Sequence, residues 1–194
     1  MADPSAVSIS NSALLMIGDA SIASLTDSSN RAIICNHFYD EVRDATLRAF
    51  PWNFATRYLD FGAVLASEVP ITGFDFTNAF ALPTSPNHVL RVLHPTDRDM
   101  IWKVVGQFIY TNESEFKAKC IIRVDSESEF DALFRECFAA RLAATIAWPL
   151  SKNRALSQDS WAIYKELMQE AYEVDSHEGL PDDMESDALL SVRY

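Results

Sequence analysis

The sequence predicts an α+β fold: a four-helix bundle with an inserted small antiparallel β subdomain and an extended C-terminal tail. Three observations predict it. Helical periodicity runs through residues 6–49 and returns from 126 to 175. Between them, residues 58–124 break into short β-rich runs separated by Gly, Pro, Asn and Asp. After residue 175 the chain turns acidic, carries Gly179 and Pro181, and loses its core stripe. The expected division is a discontinuous bundle at 1–57 and 125–175, a β insertion at 58–124 and a tail at 176–194.

The first helix is predicted by Ala6, Ile9, Ala13, Leu14 and Ile17 at helical spacing, with Gly18 as its C-cap. "DASIASLTDSSN" then forms a turn-rich link, in which Asp27, Ser28 and Ser29 offer N-caps. The second helix runs to about Ala49. Ile34, Phe38, Val42 and Ala45 form its apolar stripe, with Cys35, Tyr39 and Thr46 beside it. Asp44 and Arg48 stand at the spacing of an i,i+4 ion pair. Pro51 disfavours helix at Phe50 and fixes the stop.

"FPWNF" places Phe50, Trp52 and Phe54 around one proline. Aromatic side chains are first a core resource. The corner is therefore expected to join the helices to the sheet and lock their angle, with part of it left at a subunit boundary.

The β runs are "FGAVLA", "FDFTNAFALP", "HVLRVLH", "MIWKVVGQFIYTN" and "KCIIRV", with a hairpin pivot near Gly106-Gln107. No long helix separates them, so antiparallel pairing is expected. "SESE", Ser126 to Glu129, matches a capping box. Phe130, Phe134, Cys137, Phe138, Ala144 and Trp148 follow on one broad face, and Pro149 is expected to end the helix. A fourth helix, about Arg154 to Asp175, carries Trp161, Tyr164, Met168 and Ala171.

With 194 residues, 48% hydrophobic and 23% charged, the chain can fill one domain core and keep a polar surface. No run approaches the roughly 18 apolar residues of a membrane span. "MADPSAVSIS" lacks the basic start and apolar block of a secretory signal, so use without export is expected. Cys35, Cys120 and Cys137 are an odd set without metal-like spacing, in apolar neighbourhoods. They read as buried free thiols of a reducing compartment. The net charge of -12 and the acids from Glu170 to Asp187 disfavour gripping a phosphate backbone.

No catalytic, cofactor-binding or metal constellation emerges. His37, His88, His94 and His177 do not cluster, and neither a nucleophile elbow nor a P-loop is present. Asp125, Glu127, Glu129 and Asp131 alternate, with Glu113 and Glu115 nearby. Glycoside hydrolysis would need two carboxylates at a set separation, one with a raised pKa. A helix start explains the same cluster, since acids favour the positive end of the helix dipole.

The order of these blocks resembles the tail tubular protein A family, the head-to-tail adaptors of short-tailed bacteriophages. "NSALLMIGDASIASLTD" is similar to the family's opening block. "CNHFYDEVRDATLRAFPWNFA" is similar to its most recognisable one, through Cys35, Asn36, Tyr39, Asp40, Val42, Arg43, Leu47, Pro51, Trp52, Asn53 and Phe54. "FALPTSPNHVLRVL" and "WKVVGQFIYTN" resemble its β region; "FDALFRECFAARLAATIAWPLS" and "YKELMQEAYEVD" resemble its closing helices. The likeness covers about residues 8–178.

The resemblance implies a structural virion protein assembled in the host cytoplasm. It implies a homo-oligomeric ring, typically dodecameric, between the portal protein and the tail nozzle protein, sometimes holding tail fibres. Double-stranded DNA would pass through without specific binding, and no catalytic residues are implied. The competing reading is a virion-associated glycan hydrolase using a carboxylate pair. In the tail, Leu189, Leu190 and Tyr194 are the expected anchors on the portal or a neighbouring subunit, since a free acidic tail gains nothing from an apolar set; the alternative is that the tail folds back on its own bundle.

Overall fold

The computed structural model describes residues 4–62 and 76–178. Among these residues the fold is α+β: four helices and two three-stranded antiparallel sheets. The helices are α1 (Ala6–Met16), α2 (Asn30–Ala49), α3 (Ala132–Ser151) and α4 (Arg154–Glu178). The strands are β1 (Thr56–Phe61), β2 (Asn78–Ala81), β3 (Val89–Pro95), β4 (Trp102–Val105), β5 (Phe108–Thr111) and β6 (Phe116–Ile122). One sheet has the order β1-β6-β3, the other β2-β5-β4.

Local chemistry sets most boundaries. Ser5 and Ser8 cap α1 reciprocally, each hydroxyl accepting from the other's backbone N–H, at 3.2 and 2.9 Å. At its far end Gly18 adopts φ 73°, and the amides of Gly18 and Asp19 donate back to Leu15 and Leu14. This left-handed closure favours glycine. Of the three candidate caps for α2, Ser29 accepts from the Ala32 amide at 3.2 Å. The β4–β5 hairpin pairs Val105 with Phe108 and turns on Gly106, φ 62°. Positive φ at the first turn position alone makes it type II′.

α3 is the central helix and packs against α1, α2 and α4. Ala139, Ala140, Ala143, Ala144 and Ala147 are all buried, so neighbours approach it closely on several sides. β6 links two cores by alternation. Phe116, Ala118 and Cys120 face Phe61, Phe80 and Ile109 in a core between the sheets. Ile121 joins the helical core with Val124, Leu47 and Phe138.

Several expectations are corrected. The buried face of α2 carries Ala32, Cys35, Tyr39, Val42 and Thr46, whereas Ile34, Phe38 and Ala45 are half-buried; the face is turned by one residue. Asp44 does not pair with Arg48. It pairs with Arg43 and Arg123, and Arg48 donates to the Leu90 carbonyl.

Ser126 caps no helix, because its hydroxyl pairs with that of Ser128, 2.8 Å away. Residues Glu127–Glu129 form a short 3-10 turn, and Asp131 caps α3 by accepting from the Leu133 amide at 2.8 Å. Pro149 lies inside α3, which ends at Ser151. So near the end it removes a single ladder bond, and Lys152, φ 55°, closes the turn with its amide on Trp148 at 3.0 Å.

Thr56 and Arg57, expected within the helical part, begin β1. Of "FGAVLA", Phe61 is in β1, and residues from 63 onward fall outside the described set. α4 extends to Glu178, past the expected tail start at 176. The tail from 179, with Leu189, Leu190 and Tyr194, lies outside the described residues.

Candidate functional site

The corner after α2 is where the two substructures meet. Pro51 has no N–H to extend the helix, and the Trp52 amide instead donates to the Phe50 carbonyl at 2.9 Å across the proline. Phe50 and Trp52 are buried, and Phe54 is half-buried. Trp52 stands edge-on to Phe50 at 4.8 Å and to Phe134 of α3 at 5.2 Å. Phe50 meets Tyr172 of α4 at 4.6 Å, and Phe54 meets Phe134 at 5.1 Å. The corner thus grips both closing helices. A pocket of about 240 Å³ remains beside it, lined by Phe50, Trp52, Phe54, Leu133, Ala171 and Val174, with Asp131 at its edge.

A charged network locks the other side of α2 to the exit of β6. Arg43, buried in the core margin, contacts Asp44, Asp40 and Asp125, each at 3.1 Å. Asp44 also pairs with Arg123, and Tyr39 donates to Glu127 at 3.2 Å. Burial and the neighbouring Glu127 carboxylate push the Tyr39 hydroxyl well above its usual pKa. The network was missed from sequence, although Asp40 and Asp44 bracket Arg43.

A second cleft, about 470 Å³, opens between β3 and the β4–β5 hairpin. Arg48, His88 and Arg91 stand on it with Leu82, Leu90 and Val104. Sequence reasoning missed it too, because its residues come from four separate segments.

Four of the six acids weighed for hydrolysis hold structural posts. Asp125 pairs with Arg43, Glu127 accepts from Tyr39, Asp131 caps α3 and Glu115 pairs with Lys117 at 3.1 Å. Among the described residues, no group of three or more His, Cys, Asp or Glu is placed to hold a metal ion. Cys35, Cys120 and Cys137 are free and buried. Burial pushes the Cys35 and Cys137 thiols up to about 11 and Cys120 up to about 12. Such thiols are poor nucleophiles.

Large apolar side chains remain exposed on both substructures. Ile101 is 74% and Tyr58 68% exposed on the β side, Leu15 63% and Trp148 50% on the helical side. Trp148 and Trp161, expected on core faces, are therefore largely surface residues, while Tyr164, Met168 and Ala171 are buried. No described helix is long and apolar enough to cross a membrane. Searches of protein-family models and of curated protein sequences return no match to this chain.

Proposed function

We propose that this chain is a non-enzymatic head-to-tail adaptor of a phage virion. It forms a homo-oligomeric ring, dodecameric by the resemblance, between the portal protein and the tail nozzle, around a channel for double-stranded DNA. The helical layer, read as a bundle around α3, and the inserted β region present separate faces to neighbours above, below and beside. The resemblance of the ordered sequence blocks motivates the reading.

The observation that carries it is the distribution of exposed apolar residues. Leu15 and Trp148 stand on the helical part, Tyr58 and Ile101 on the β part. Subunit contacts in a ring are heterologous, so two different faces of one chain must each offer a surface. The acidic balance of the chain favours DNA sliding over sticking. The hydrolase reading lacks comparable support, because Asp125, Glu127 and Asp131 are engaged in ion pairs and caps. In the tail, Leu189, Leu190 and Tyr194 serve as anchors on the portal or a neighbouring subunit.

Virions made without this chain test the proposal. They are expected to package DNA but to leak it or carry no tail. Fully tailed, infectious particles lacking the chain would contradict it.

A further inference from the structure

We infer that the cleft between β3 and the β4–β5 hairpin seats residues 182–190 of the same chain. Two arginines, Arg48 and Arg91, stand on the cleft. Arg48 donates to the Leu90 carbonyl, and Arg91 Nη1 donates to the Arg48 carbonyl at 3.4 Å, so each side chain is braced on the other's segment. Neither guanidinium has a carboxylate partner among the described residues. His88 stands beside them. Cations gathered without a counter-charge repel one another, and an anion in the cleft offsets that repulsion. Leu82, Leu90 and Val104 also line the cleft, beside the polar Thr84 and Gln107. The ligand chemistry is therefore an acidic segment with adjoining apolar side chains.

This chain contains such a segment. "DDMESDALL" supplies Asp182, Asp183, Glu185 and Asp187, followed directly by Leu189 and Leu190. The carboxylates match Arg48 and Arg91, and the leucines match Leu82, Leu90 and Val104. The segment follows α4, which packs against the corner next to Arg48. Tyr172 of α4 touches Phe50, two residues past Arg48, at a ring distance of 4.6 Å. From Glu178, where α4 ends, to Asp187 the chain can extend about 30 Å. Tethering raises the local concentration of the segment to about the millimolar range, which favours the same chain over a second copy in dilute solution. The aromatic pocket beside Val174 is the rival seat, but Asp131 at its edge repels a run of acids.

The inference does not rest on the adaptor reading. Where both hold, the segment that engages the portal has a resting place in the free chain.

Photocrosslinking of the full-length chain tests it, with a benzophenone-bearing residue in place of Leu189. The expected crosslinks join that position to residues 82–92 or 104–107 in a monomer-sized species. Their yield falls as salt rises. They are lost in the Arg48→Glu, Arg91→Glu double variant and regained when Asp182→Lys and Asp187→Lys are added. Both arginines are exposed, and circular dichroism checks that each variant folds. Crosslinks in a dimer-sized species, crosslinks to the Phe50–Val174 pocket, no crosslink at all, or a yield unmoved by charge reversal would each overturn the inference.

Discussion

The indole Nε1 of Trp52 donates to the backbone carbonyl of Thr46 at 3.1 Å, six residues back in the last turn of α2. A buried indole N–H must find an acceptor, and here the helix end supplies it. One side chain thereby fixes both the packing of the corner and the direction in which the chain leaves the helix. Trp52→Ala should cost about 3–5 kcal/mol in denaturant unfolding, as a large-to-small core change. Trp52→Phe, which keeps a ring but loses the donor, should cost less. A loss near zero for Trp52→Ala would mean that the corner is not a core element.

Asp44 couples α2 to β6 through Arg43 and Arg123. Asp44→Ala leaves the largely buried Arg43 short of one of its three acceptors, and should destabilise the fold by about 1–3 kcal/mol. A double-mutant cycle with Arg123→Ala should show positive coupling. Because Asp44 and Arg123 are partly exposed, that coupling should shrink with added salt. Additive single-variant losses would remove the pair from the account.

The three thiols give a pH dependence of defined sign. Their folded pKa values, about 11 for Cys35 and Cys137 and about 12 for Cys120, lie above the ordinary 9.0. Above the ordinary value the unfolded chain sheds protons that the folded chain keeps. Stability is therefore fully present below pH 9.0 and falls as pH rises toward 11–12. Urea midpoints measured across this range should drop, and Cys120→Ala should flatten the drop. At neutral pH all three thiols should resist a thiol reagent until the protein unfolds. Fast labelling of the native chain would contradict their burial.

The acidic tail can be separated from the fold. A chain ending at Glu178 should keep its fold, with at most a small fall in thermal midpoint from loss of the segment seated on the cleft, because the described core closes without residues 179–194. The same truncation should abolish portal binding if Leu189, Leu190 and Tyr194 are the anchors. Undiminished portal binding would refute those three residues.

The α+β division, the antiparallel pairing, the Gly106 hairpin and the buried corner were legible because each rests on local chemistry. Gly18, Ser29 and Pro51 act within a few residues of themselves. What sequence hid depends on contacts between distant segments. Arg43 and Asp44 each draw one partner from beyond β6, and nothing local signals that Asp125 and Arg123 are the ones. The true cap of α3, Asp131, lay five residues past the stronger-looking Ser126, whose hydroxyl found Ser128 instead. Pro149 was read as a stop because its cost was placed in a helix interior, not two residues from an end. The cleft at Arg48 and Arg91 needed the fold to exist before its residues could be seen together.

The adaptor assignment is tested most directly by particle mass in solution, measured with and without a portal ring. Alone, the 21.8 kDa chain should sediment as a monomer. With the portal it should add as a closed ring, raising the particle mass by about twelve chains if the dodecameric symmetry implied by the resemblance holds. A portal whose mass is unchanged by excess chain would contradict the account at its centre.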